Sequence, residues 1–501
     1  MIQYIAVIGY MAILVGIGVA ASRRTKDASD YYVGGKGMGF LSVAFSSRAT
    51  GESAWLLLGL TGFGAAVGVQ GFWVVGGELL GVGLAWLWLA RPFKRLTDDY
   101  DSITVPDYLE SRFRGSGHGL RLIAAGALIV FVPIYVSAQI HATGLAFHQF
   151  LNWNYFVGAL TGFLVVILYI TRGGFIAVVW SDMFQGTLMV LGLVALPLVA
   201  LVQAGGIDST MEALRTDYAS HLSFTAGAGW TPLSIATILG LMAIGIGFLG
   251  SPQVFVRFIS LRSEKEIGRG AAVALTWTLL ADSGAVLVGI IGRTMITGDL
   301  GEGSQNVLPR LVETTMPSII AGLYVAIVLS AIMSTIDSLL VVASSAASRD
   351  YIQKVRRPDI SSEELIKMSR RLTLALALVA LAIAMAVAFL NEEQGVFWFI
   401  IFGWSGIAAT FCPTIILSLC WARMTERGAR YGMISGFLSV PFFKWVAPAI
   451  GGADYWSALD VLAPSFVVSG IVIILVSLTD SRGAEISEAA RKDLLRSRDK
   501  S

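Results

Sequence analysis

Charge is scarce in this chain of 501 residues: Asp, Glu, Lys and Arg together make up 14% of it, against roughly a quarter in a soluble domain. With 55% hydrophobic residues beside that scarcity, a water-soluble globule is excluded and an integral membrane protein is expected. Cysteine is nearly absent too. Cys412 and Cys420 provide neither a disulfide framework nor a metal cluster, and their apolar surroundings point to packing. The four histidines, His118, His141, His148 and His221, form no ligand or triad spacing, and no phosphate-binding loop is present. An enzyme and an ATP-driven pump are therefore not expected, and no organic cofactor is implied. A net charge of +2 is too small to suggest a nucleic-acid partner, and nothing in the sequence calls for an obligatory protein partner. Small residues at a cleavage site are also missing after the first apolar run, which Ser22-Arg23-Arg24-Thr25-Lys26 follows, so that run reads as a retained helix and not a signal peptide.

Apolar runs are what the chain has in abundance. Breaks of charge and turn residues divide them into thirteen spans, at about 2–21, 40–60, 69–90, 122–145, 155–170, 175–201, 233–258, 270–291, 319–343, 372–390, 396–420, 432–446 and 461–478. Loop charge sets their direction. Arg23, Arg24, Lys94, Arg95, Arg121, Arg262, Lys265, Arg349, Lys354, Arg371, Arg423 and the tail from Arg491 to Lys500 fall on one side, and the other side holds only Arg215, Arg293 and Arg310. This predicts an N-terminus outside and a C-terminus in the cytoplasm, in the cell's inner membrane. The chain reads as one transmembrane domain over 1–480 with a polar cytoplasmic tail over 481–501.

Ionisable residues inside such spans are functional candidates by default. Seven stand out: Arg48, Glu52, Glu78, Asp182, Asp282, Asp337 and Lys444. Lys444 lies near a span end and is expected to snorkel. Arg48 and Glu52, four apart, can pair on one helix, whereas Asp182 is expected to stand unpaired at membrane depth and so to act in coupling. Five carboxylates against two bases suit a pathway for cations.

Two spans carry interruptions that a plain anchor does not need. Ser46-Ser47-Arg48-Ala49-Thr50-Gly51-Glu52-Ser53 breaks the second, and Gly245-Ile246-Gly247-Phe248-Leu249-Gly250-Ser251-Pro252 breaks the seventh. Five helices apart and oppositely directed, they form the pattern of an inverted repeat whose broken helices meet at a midplane site. On the ninth span, Ala331, Ser334, Thr335 and Ser338 share a face beside Asp337. Its oxygens suit a hard cation such as sodium, or else helix packing.

The chain resembles the sodium/solute symporter family, most closely its bacterial sodium/proline branch. The resemblance is carried by Asp30-Tyr31-Tyr32-Val33-Gly34-Gly35, Trp55-Leu56-Leu57-Leu58-Gly59, Thr104-Val105-Pro106-Asp107-Tyr108, Trp180-Ser181-Asp182, Pro252 with Arg257-Phe258, Met333-Ser334-Thr335 and Trp421-Ala422-Arg423-Met424-Thr425, in that order. It implies an all-α carrier of about thirteen helices with a five-plus-five inverted-repeat core over about 39–420. It further implies a sodium site at the backbone carbonyls of Ala49 and Glu52 with Ala331, Ser334 and Thr335. Asp182, Asp337 and Ser338 are implied at a second sodium site, and Ser53, Trp55, Tyr135, Phe248 and Pro252 as substrate contacts. Three departures stand against the proline pattern: Gly51 replaces an aspartate, Ile244 a tryptophan and Phe248 a tyrosine. The expectation is therefore a carrier that couples inward sodium flux to uptake of a small solute, an amino acid such as proline or another small carboxylate. A symporter-like membrane sensor is the other reading, and the short tail after Leu478 speaks against it.

Overall fold

The computed structural model describes residues 2–114, 117–390, 396–481, 483 and 492–495; most of the polar tail, including nearly all of its basic residues, lies outside them. Apolar side chains at every turn favour helix where lipid cannot satisfy backbone polar groups. Thirteen helical segments carry the architecture: α1 (Ile2–Ser22), α2 (Phe40–Gly51), α3 (Phe72–Leu84), α4 (Gly119–Leu151), α5 (Tyr155–Gln203), α6 (Pro232–Ala243), α7 (Pro252–Ser260), α8 (Ile267–Met295), α9 (Ser318–Ser345), α10 (Ser362–Leu390), α11 (Val396–Cys420), α12 (Glu426–Pro441) and α13 (Leu462–Thr479). Among the described residues no strand occurs, only an isolated bridge between Met38 and Leu261.

Eleven helical stretches among the described residues are long and apolar enough to cross a membrane, and Tyr155–Thr171 is a shorter apolar helix. The expected number of spans is thus not reproduced by length and apolarity. One reason is that the second and third spans do not separate: helix runs from Trp55 to Asp99 through a tight turn at Gly68–Gly71. Another is that the fifth span, Tyr155–Thr171, is shorter than the others. The fifth and sixth spans meet at Gly174, whose φ of 55° with ψ of −149° is open to glycine and poorly to other residues.

The layers follow burial. Helices α9 and α11 are enclosed along most of their length, while α1, α10 and α13 turn Ile5, Ile8, Leu378, Leu390, Val467 and Leu475 outward as a lipid-facing surface. Both breaks lie in the enclosed centre. Helix α2 stops at Gly51, Glu52 is extended (φ −93°, ψ 98°), and helix resumes at Trp55. This break spans fewer residues than the sequence suggests, because Ser46 to Gly51 remain helical. In the seventh span, α6 tightens into a 3₁₀ turn over Ile244–Leu249 and α7 begins at Pro252, which has no N–H to lose there. The turn lies directly on α3: a Cβ at Gly77, Gly81 or Gly245 would run into the other segment's backbone.

At one end of the bundle the connecting segments are locked by charge. Arg121 contacts Asp107, Glu110 and Asp350, and Thr104 donates to Asp350 at 2.9 Å. Burial would raise the Asp107 carboxyl, but Arg121 and Arg349 outweigh it and hold the group below the usual carboxylate range.

Candidate functional site

Helix α2 places two different sets of side chains on two sides. Positions 46 and 50 are one turn apart, as are 48 and 52, and the second pair is displaced by two residues, about 200° around the axis. Between these faces, its last carbonyls point at α9.

At the carbonyl end, Ser334 Oγ donates to Ala49 O at 2.8 Å and lies 3.1 Å from Ala331 O. Thr335 Oγ1 donates to Thr50 O at 3.1 Å and lies 3.2 Å from Ala331 O. Four of the five residues expected at the sodium site therefore converge, and Thr50 joins them. The expectation for the fifth, Glu52, concerns its backbone carbonyl; its side chain turns to another face of α2 and pairs with Arg48. Two hydroxyls and three carbonyls form an oxygen-only donor set, which suits a hard cation, and every one of these residues is buried.

On the face bearing Ser46 and Thr50, Asp182 Oδ2 accepts from Ser46 Oγ at 2.6 Å and from Arg257 Nη2 at 3.2 Å. Asp182 is thus not unpaired, contrary to expectation: Arg257, also fully buried, supplies its counter-charge. The guanidinium further donates from Nε to Ser46 at 3.1 Å, from Nη1 to the Gln253 carbonyl, and from Nη2 to Thr50 and Ser338. Asp337 completes the group, accepting from Tyr169 at 2.8 Å and from Ser338 at 3.2 Å. The residues expected at a second sodium site, Asp182, Asp337 and Ser338, are brought together, with an arginine among them. Arg257 is not among the seven ionisable candidates of the sequence because it falls near the end of the seventh span; counted from the break at Pro252, it lies little more than one turn in and is fully buried.

On the opposite face Arg48 meets both Glu52 and Glu78, the latter at 3.3 Å, so the expected helical pair is present and widened by a residue of α3. The guanidinium lies over the Phe248 ring at 4.5 Å.

The expected substrate contacts surround the same break. Ser53 Oγ accepts from Gln139 Nε2 at 3.0 Å, and Trp55 Nε1 donates to Gly51 O at 3.0 Å. Tyr135 and Phe248 both pack on Trp404, with ring centres at 6.4 and 5.0 Å, and Trp404 Nε1 donates to Ile244 O at 3.0 Å. Gln139 and Trp404 were not picked out in the sequence; neither is charged, and only the fold brings them here. Pro252 begins α7 and is buried. Lys444 is exposed.

Comparison with known proteins agrees with this geometry. The family model described as the sodium:solute symporter family matches residues 31–436. The chain is 31% identical to the sodium/proline symporter of Escherichia coli (strain K12), covering 94% of this chain and 91% of that protein. It is 33% identical to the high-affinity proline transporter of Bacillus subtilis (strain 168), covering 92% and 95% respectively. A solved structure of a Na⁺-coupled sialic acid symporter in a substrate-bound, outward-open state shares the fold, with a TM-score of 0.80 at 21% identity over 96% of this chain and 98% of that one.

Proposed function

This chain belongs to the sodium:solute symporter family, and from that premise we propose that it couples sodium entry to uptake of a small organic solute, with proline as the leading candidate. The observation that carries the reading is the meeting of Ser334 and Thr335 with the carbonyls of Ala49 and Thr50 at the end of a broken helix. Sodium held there ties α9 to α2, the helix whose break adjoins Ser53, Trp55, Tyr135 and Phe248. Binding of the ion and shaping of the solute pocket become one event. Sodium entering down its gradient supplies about 2.3 kcal/mol per charge per 100 mV, besides the concentration contribution.

The departures at Ile244 and Phe248 favour a second reading, a carrier of a related small carboxylate or zwitterion in place of proline. In either case the protein works in the cell membrane as one transmembrane unit over 1–480, with the N-terminus outside and the basic loops and tail in the cytoplasm. Reconstituted protein in liposomes, given labelled proline, other amino acids or organic acids under an inward sodium gradient, tests substrate and coupling together. Accumulation that requires sodium and is competed by proline is expected; uptake indifferent to sodium would overturn the reading.

A further inference from the structure

Charge balance singles out the Arg48 face of α2. Glu52 of the break, Glu78 of α3 and Asp282 of α8 are fully buried and bring one carboxylate oxygen each to within 4.8 Å of the others. Arg48 is the cation paired with them. Three carboxylates against one guanidinium leave two negative charges in excess, in an enclosed place where isolated charge costs many kcal/mol.

Hydrogen bonding does not relieve that excess. Both oxygens of Asp282, Oε2 of Glu52 and Oε1 of Glu78 have no hydrogen-bond donor among the described residues. The leftover donors, Nε and Nη1 of Arg48, belong to a guanidinium stacked over Phe248 at 4.5 Å and near Trp277 at 5.8 Å, where aromatic faces take part of its charge. The unsatisfied acceptors outnumber these two donors and come from three separate segments, the break after α2, α3 and α8. A hard cation of calcium's size takes oxygens at about 2.3–2.6 Å, and sodium is nearly the same size; three oxygens at the 4.8 Å limit lie about 2.8 Å from a common centre, so a closure of a few tenths of an ångström brings all three onto one such ion.

We propose that Glu52, Glu78 and Asp282 form a further cation site that binds sodium beside Arg48, separate from the site at Ala49, Thr50, Ser334 and Thr335. This rests on the reading of the chain as a sodium-coupled carrier. The site gives the ion a direct role in the solute pocket, since Arg48 is stacked on Phe248 and Glu52 immediately precedes Ser53. Sodium there draws the carboxylates toward itself and away from Arg48, which changes the guanidinium that Phe248 faces.

The test is equilibrium binding of labelled sodium to the purified full chain without solute, which separates the proposal from the uptake reading. The native protein is expected to hold more than one sodium ion per chain. In Asp282→Asn and in Glu78→Gln one of these should weaken by about tenfold or more, while the ion lost in Ser334→Ala is retained. A single sodium per chain in the native protein would overturn the proposal, as would unchanged binding in both carboxylate variants. Calcium or magnesium displacing sodium at micromolar concentration would overturn it in favour of a divalent site. Loss of solute affinity with sodium binding unchanged would reassign the carboxylates to the solute. Absence of any saturable sodium binding would instead count against the family-based reading as a whole.

Discussion

The two faces of α2 hold the same kinds of charge in different states. On one, Arg257 faces Asp182 and Asp337, every guanidinium nitrogen has an acceptor, and Asp182 Oδ1 is the acid oxygen left without a donor. On the other, Arg48 faces three acids, and most of the cluster's polar atoms are unmatched. Burial is equal, so it does not distinguish them. The supply of hydroxyls does: Ser46, Thr50, Ser338, Tyr169 and Ser181 surround the first cluster and bridge its charges, whereas the guanidinium of the second meets the rings of Phe248 and Trp277. A buried ion pair with its hydrogen bonds complete is a structural joint. One with acceptors in excess is a place that a cation can join.

The largest effect should come from breaking the completed joint. Arg257→Met leaves Asp182 buried with two hydroxyl donors and no counter-charge, a change that costs about 3–5 kcal/mol in comparable buried pairs. Thermal unfolding in detergent should show a marked loss, and Arg257→Met with Asp182→Asn should recover much of it. If the single variant unfolds at the native temperature, the joint is not structural and the contrast between the faces fails.

Next come changes at the aromatic edge of the Arg48 face. A Cβ at Gly51 would overlap the Phe248 ring, so an aspartate there cannot enter without moving that ring. Gly51→Ala should cost about 1–3 kcal/mol by overpacking, and Gly51→Ala with Phe248→Leu less, as unfolding measurements would show. In the same pocket, Ile244→Trp with Phe248→Tyr adds a hydrogen-bonding group and wall area, and should shift solute preference toward proline by about 1–3 kcal/mol, the scale of a one-group change in a pocket. Competition by a panel of amino acids against labelled proline reads this, and an identical ranking would show that these positions do not line the pocket.

A smaller effect is expected where one hydroxyl is removed from an oxygen cage. Ser334→Ala and Thr335→Ala each delete a donor to a carbonyl of α2, worth about 0.5–1.5 kcal/mol net, so half-maximal uptake should need about three- to tenfold more sodium with folded yield little changed. Unchanged sodium dependence in both would remove α9 from the ion site.

Local sequence carried much of this, and its reach ended where contacts became distant. Small and polar residues marked both breaks, helical spacing put Ser334 and Thr335 on one face, and the four-residue step paired Arg48 with Glu52. Glu52 belongs to the expected sodium set by its backbone carbonyl, while its side chain follows Arg48 around α2, away from α9. Partners such as Arg257 for Asp182, 75 residues away, leave no periodic trace, nor does the meeting of Glu52 with Glu78 and Asp282. The expected thirteen spans are not confirmed by length and apolarity for a related reason: whether a glycine-rich segment separates two helices or only tightens one depends on the packing around it.

The smallest stability change is expected in Asp282→Asn, and it tests the comparison most directly. Asp282 has no hydrogen-bond donor to lose and no salt bridge of its own among the described residues. Its carboxylate sits near two other acids and in the field of Arg48, so in sodium-free buffer desolvation and repulsion are set against that attraction and leave little net stabilisation to lose. Replacing it with the isosteric amide keeps the volume, removes one excess charge and supplies two N–H donors to oxygens that had none. The sodium-free variant should unfold within about 1 kcal/mol of the native chain or above it, against the large loss in Arg257→Met. Adding sodium should then stabilise the native chain more than the variant, since an ion stabilises the fold only in proportion to its binding. Melting curves of both proteins across a sodium series read the two effects at once: a large loss in Asp282→Asn without sodium, or an equal sodium response in the two, would mean that the Arg48 face is a second structural joint and that hydrogen-bond completeness does not separate the two faces of α2.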